Sequence, residues 1–250
     1  MKNFYPALRV DQIKTPNRFY AFPILGYLLK WVILIPVWIW MFFLVLAYLV
    51  VLVINSFVVL FTGKYWIRAY TFVCGYMRFQ TKILLYLSGL TDKYPGFGLD
   101  INDPLIALDI EMPKRPNRLF ALPVLGGVAR LILFIPYYLF TTVIGYGAWG
   151  GTAIASFVVL FAGRYPESAY ELTRDHVRVS MAGGVYLSGL FDRYPVFWIS
   201  MNHKPIKIAL IIFGVIMTIL NLVGNTTPTP KPAENEFLYP ETLDQTSYDK

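Results

Sequence analysis

Trp31 to Phe61 reads WVILIPVWIWMFFLVLAYLVVLVINSFVVLF, a run without one charged side chain. At 1.5 Å of rise per residue, about 20 helical residues already cross a hydrocarbon core ~30 Å thick. The run exceeds that length, so it places the chain in a membrane. Composition agrees: 56% of residues are hydrophobic, 17% aromatic and only 15% charged, against about 25% charged in soluble domains. Upstream, residues 1–23 hold Lys2, Arg9, Asp11, Lys14 and Arg18 with prolines at Pro6 and Pro16. They lack the basic head, short apolar stretch and small-residue cleavage site of a secretion signal, so the N-terminus is expected to stay. Cys74 is the single cysteine and neither histidine has a partner at metal-ligand spacing, so no internal disulfide, metal or cofactor is expected.

The formal charge of +7 is unevenly spread. Residues 226–250 carry five acids against Lys231 and Lys250, so this tail contributes −3 and leaves about +10 for the body. Basic charge can signal nucleic acid, but here it flanks apolar spans, where Lys and Arg mark the cytoplasmic face. The reading is therefore membrane topology, with no nucleic-acid partner.

Downstream of the opening run the chain repeats itself at an offset of 100 positions without a gap. Pro16-Asn17-Arg18 returns as Pro116-Asn117-Arg118, and Pro23, Gly26 and Pro36 as Pro123, Gly126 and Pro136. Ser56 to Phe61, then Gly63, a base and Tyr65, recurs from Ser156 through Gly163-Arg164-Tyr165. Tyr86 to Leu90, then Asp92, a base, Tyr94-Pro95 and Phe97, recurs from Tyr186 through Asp192-Arg193-Tyr194-Pro195 to Phe197. Three blocks in one register exclude chance.

The arrangement Ile-Pro, apolar stretch, Leu-Phe-x-Gly-basic-Tyr, helix, Asp-basic-Tyr-Pro-x-Phe resembles the bacterial domain of unknown function numbered 4389, over residues 4 to 203. Tyr165-Pro166 matches the Tyr-Pro that follows the basic residue in that pattern, whereas Tyr65-Trp66 departs from it. The resemblance implies a bacterial membrane protein and no particular activity.

The expected fold is an all-α integral membrane protein. Repeat 1 spans residues 1–101 and repeat 2 residues 102–203, followed by a C-terminal transmembrane helix over 204–224 and a disordered acidic tail over 225–250. Within a unit, Asn17 and Asn117 stand where an N-cap opens a helix. Gly145, Gly147, Gly150 and Gly151 cluster as a tight turn would, which favours a helical hairpin in the second copy. The first copy has no such cluster and fits one long helix kinked by Pro36. Glu167, Glu171, Arg174 and Arg178 then form one polar stripe, the mark of an amphipathic helix lying in the interface. Ala7 to Asp11, Leu105 to Glu111 and Val196 to Met201 alternate loosely and can pair as short strands outside the bilayer. Because the equivalent loops of both copies are basic, they are expected on one side, which makes the copies parallel repeats about the membrane normal. In a bacterial inner membrane this puts the N-terminus in the cytoplasm and the tail outside.

Candidate chemistry is sparse. Gly63-Lys64 and Gly163-Arg164 lack the other residues of a phosphate loop and read as helix C-caps with a base near the lipid headgroups. His176 beside Asp175 has no nucleophile placed by any recognisable motif. Lys30 and Arg130 sit in apolar sequence near the start of the run, from where they can snorkel to the surface. Arg78 and Arg178, oriented by Asp92 and Asp192, are candidate contacts for an anionic lipid or a partner's carboxylate, with Lys64 and Arg164 beside them. No catalytic constellation emerges, so the chain is not expected to be an enzyme. By elimination it reads as an accessory or scaffolding subunit of a cell-envelope complex, in contact with other membrane or envelope proteins. The alternative is a lipid-binding or transport protein.

Overall fold

The computed structural model describes residues 7–10, 16–99, 106–109, 116–122, 124–189, 193–202 and 204–226. In chain order they form β1 (Ala7–Val10), α1 (Leu25–Ile33), α2 (Ile35–Thr62), α3 (Ile67–Leu87), β2 (Ile106–Asp109), α4 (Leu125–Ala162), α5 (Glu167–Leu187) and α6 (Lys204–Thr226). A short 3-10 turn, Leu119–Ala121, precedes α4.

Three of these helices are long and apolar enough to cross a membrane: Ile35–Thr62, Leu125–Ala162 and Pro205–Asn225. α2 and α4 end as their glycines dictate. Gly63 (φ 69°) and Gly163 (φ 67°) take the left-handed conformation, and their N–H groups donate to the Val59 and Val159 carbonyls, the expected C-caps. In the first copy the helix is interrupted at Leu34, two residues before Pro36, whose missing N–H leaves a gap in the ladder. In the second copy α4 runs unbroken through Pro136 for 38 residues.

That unbroken helix corrects the expected hairpin. The glycines of α4 make room for neighbours instead of turning the chain. A Cβ at Gly147 would lie 2.8 Å from the Leu210 carbonyl oxygen of α6, one at Gly150 2.9 Å from the Phe213 ring, and one at Gly145 2.9 Å from the His176 ring. Gly214 of α6 answers from the other side, set against the Val143 carbonyl. Small residues that let two backbones approach are how helices pack where no hydrophobic drive separates them from lipid. Asn17 is likewise not an N-cap. Its side chain accepts from the Phe19 N–H within a turn, and α1 opens eight residues later.

α3 and α5 are the most enclosed helices. Phe79, Leu85 and Tyr86 of the first and Tyr170, Val177 and Val185 of the second belong to one core. The polar stripe of α5 is turned in part to partners inside the protein: Glu171 is buried while Glu167, at the start of the helix, is exposed. The two helices are antiparallel. Tyr65, at the start of α3, donates to the Gly189 carbonyl past the end of α5, and Tyr165 donates to the Ser88 carbonyl at the end of α3.

The same two-fold relation runs through the ribbon. β1 and β2 pair antiparallel as Ala7 with Asp109, Leu8 with Leu108, Arg9 with Ala107 and Val10 with Ile106. Exchanging the copies maps this register onto itself about the Leu8–Leu108 pair. The ribbon thus sits on the axis, with β1 against α5 and β2 against α3. Two of the three expected strands form. The third stretch, Val196 to Met201, is irregular chain whose Ser200 is drawn into a polar network described below. Residues 227–250, most of the expected acidic tail, lie outside the described residues.

Candidate functional site

Each copy ends its long helix against the other copy. A Cβ at Gly63 would lie 2.6 Å from the Arg118 guanidinium, and one at Gly163 2.9 Å from that of Arg18. A cation there faces the negative end of the helix dipole. Lys64 and Arg164, the neighbours of these glycines, are exposed.

Lys30 and Arg130 do not snorkel. They are 4% and 5% exposed and turn inward, Lys30 Nζ donating to the Tyr86 carbonyl at 2.9 Å and Arg130 Nη1 to that of Tyr186 at 2.8 Å. Each also lies over aromatic rings, Lys30 over Tyr20 and Tyr86, Arg130 over Phe120 and Tyr186. The carbonyls they meet belong to the last turns of α3 and α5 and also accept from the Gly89 and Gly189 N–H groups, so each cation adds a second donor near the negative end of a helix, with aromatic faces beside it. Burial pulls the Lys30 amine down to about 8, opposed by the nearby Asp92 carboxylate.

Asp92, expected to orient Arg78, accepts from the Asn17 N–H at 2.7 Å. Arg178 pairs with Asp175 at 3.6 Å and lies 4.8 Å from the centre of the Trp198 ring. Asp192 lies outside the described residues. Asp175 is the centre of a network peculiar to the second copy. It accepts from the Ser200 N–H at 2.8 Å and the Ser200 hydroxyl at 2.5 Å, and Lys207 of α6, fully buried, reaches Glu171 at 2.7 Å and Asp175 at 3.8 Å. The first copy has Thr71 and Gly75 at the corresponding positions, so this network ties α6 to α5.

Between the copies lies a cleft of about 430 Å³, within the range of sites for small organic molecules. One wall is Pro23, Ile24 and Tyr27 of the α1 region, the other Ala148, Trp149, Ala153 and Phe157 of α4. Leu84 and Leu87 of α3 with His176 and Val177 of α5 form its floor. The Tyr27 and Trp149 rings, one from each wall, meet edge to face with centroids 5.5 Å apart. Ile24 and Trp149 are 76% and 56% exposed at its rim. Ile24 has φ 63°, and its counterpart Val124 has φ 64°, a conformation costly for β-branched residues and held only where the surroundings impose it.

The cleft shares Ile24, Tyr27, Leu87, Ser88, Thr152 and Ser156 with an adjacent, smaller hollow of about 60 Å³, to whose lining Asn17, Tyr20, Lys30 and Asp92 contribute polar groups. An apolar cavity with a charged end is complementary to an amphiphile. At the corresponding place in the first copy, Tyr48 and Tyr76 stack with ring centroids 4.5 Å apart; the second copy has Ala148 and His176 there. Comparing the copies at these two positions is the signal by which sequence could have located the cleft.

Among the described residues no group of His, Cys, Asp and Glu is arranged to hold a metal ion. What the fold and cleft define is a helical membrane protein made of two copies of one unit. The model for a domain of unknown function, DUF4389, matches residues 25–98 and 126–199, more than half of the chain, and the chain belongs to that family with two tandem copies. No curated protein and no solved structure matches it.

Proposed function

We propose that this is a non-catalytic membrane protein that holds a lipid in the cleft between its copies. The observation that carries the reading is the adjacency of the apolar cleft to the hollow at Lys30 and Asp92, the two sharing six lining residues. Lipid chains fill the first and a headgroup meets the second. The scaffold reading rests on elimination and has no comparable feature behind it.

The seat in the membrane follows from charge. The ribbon is flanked by Asp11, Lys14, Glu111 and Lys114, and placing such charges at mid-bilayer costs several kcal/mol each, about 2.5–3.5 on insertion scales. The two-fold axis through the ribbon therefore runs along the membrane normal, with the ribbon on the aqueous side. Arg18, Lys64, Arg118 and Arg164 then share one basic face, where they meet anionic headgroups, and α2 and α4 sink their apolar length into the hydrocarbon.

The repeat supplies the test. Ala148→Tyr with His176→Tyr transplants the tyrosine pair of the first copy into the second and fills the cleft with a packing the fold already uses. Native mass spectrometry of protein purified in mild detergent should find retained lipid on the wild type and little on the double variant. Equal lipid on both sinks the proposal.

A further inference from the structure

We infer that the lipid in this cleft is ester-linked and that His176 recognises its ester carbonyl. The inference rests on the lipid-binding reading above and names the chemistry of its occupant. His176 lines the cleft floor in a position created by Gly145, where any side chain would meet the ring. Its Nδ1 is sealed from solvent without a hydrogen-bond partner among the described residues. Burial drives the imidazole down to about 4, so at neutral pH the ring is uncharged and carries one donor and one acceptor.

A buried N–H without an acceptor is rarer and costlier than a buried acceptor without a donor, so the proton is kept off the enclosed Nδ1. With Nδ1 enclosed, the nitrogen left to face the cleft is Nε2, and in the Nε2–H tautomer it offers a donor to whatever lies there. Among the six side chains that line both the cleft and the hollow, Ser88, Thr152 and Ser156 carry aliphatic hydroxyls. A molecule with its headgroup at Lys30 and its chains between α1 and α4 carries its own acceptors at this boundary, and in a glycerolipid those are the ester carbonyls. The pseudo-equivalent Tyr76 is buried in its stack on Tyr48, so the recognition belongs to one copy only.

The experiment uses the full chain in mild detergent and two probes: phosphatidylglycerol with ester-linked chains, and its diether analogue with chains of equal length. Binding of each is followed by native mass spectrometry for the wild type, His176→Phe, His176→Gln and Ala153→Trp, the last obstructing the cleft wall. The wild type should favour the ester lipid about tenfold, the ratio expected when a buried donor loses its acceptor. His176→Phe should bind both lipids alike, and His176→Gln, which keeps a donor, should retain part of the preference. Equal binding of both lipids by the wild type overturns the inference, as does an ester preference that survives in His176→Phe. If His176→Phe does not fold, the wild-type comparison still decides. Loss of both lipids in Ala153→Trp keeps the cleft reading standing whatever His176 does, whereas failure of the wild type to bind either lipid removes both.

Discussion

Replacing Lys207 by methionine, which keeps the length of the side chain and deletes its charge, should release α6 from the rest of the fold. The ammonium is fully buried and donates to the Ser200 carbonyl at 3.0 Å and hydroxyl at 2.9 Å while pairing with Glu171 at 2.7 Å. Without it Glu171, only 10% exposed, keeps a buried carboxylate without that cation. Breaking one side of a buried pair costs about 3–5 kcal/mol. Asp175 fares better, since Arg174 and Arg178 stay within 3.6 Å, so the lower half of that range is expected. The assay is denaturant unfolding in micelles followed by tryptophan fluorescence, with Trp198, stacked on Arg178, as the reporter nearest the network. Adding Glu171→Gln to Lys207→Met removes the stranded charge and should restore more than half of the loss. A single-variant cost below about 1 kcal/mol, the scale of an exposed pair, or a double variant as unstable as the sum of the singles, refutes the reasoning.

Three further outcomes are expected. Gly214→Leu should lower the melting temperature in detergent by pushing α6 off the Val143 carbonyl, whereas Gly127→Ala, with open space at its Cβ, should be neutral or gain up to about 1 kcal/mol in helix propensity; circular dichroism reads both. The Lys30 amine titrates near 8 in the fold against an ordinary 10.5, so between those values the unfolded chain binds more protons and stability rises with pH; melting curves from pH 8 to 9.5 should show that rise in the wild type and lose it in Lys30→Met. In a Cys74→Ser background, cysteines at Lys64 and Arg164 should react with an impermeant reagent from the same side of the membrane and one at Thr242 from the other. Lys64 and Arg164 reacting from opposite sides would show α2 and α4 crossing upright in opposite senses.

Much of this was open to reading in the chain itself. The 100-residue offset gives the two copies, and Gly63 and Gly163 mark the ends of the long helices where they fall. The glycines of α4 misled because clustered glycine serves two ends, a turn or a close helix approach, and only the position of α6 distinguishes them. Lys30 and Arg130 misled for a related reason. Whether a long cation runs to the surface or inward depends on where the Tyr86 and Tyr186 carbonyls lie, and those are 56 residues away in the chain. The spacing of Glu167, Glu171, Arg174 and Arg178 is plain in the sequence, but Lys207, the partner of Glu171, stands on a helix outside the repeat. The cleft is a matter of what is missing. Ala148 and His176 look unremarkable until set beside Tyr48 and Tyr76.

The most direct test of the central claim is to find where lipid touches the protein. A phospholipid with a photoreactive group midway along one acyl chain is incorporated into membranes containing the full chain, crosslinked, and mapped by peptide mass spectrometry. Adducts should concentrate on residues 148–157 of α4 and 173–177 of α5, and disappear there when Ala148→Tyr and His176→Tyr are combined. Adducts spread evenly over outward residues of α2 such as Phe42, Phe43 and Val50, and unchanged by that pair of substitutions, would contradict a lipid held in the cleft.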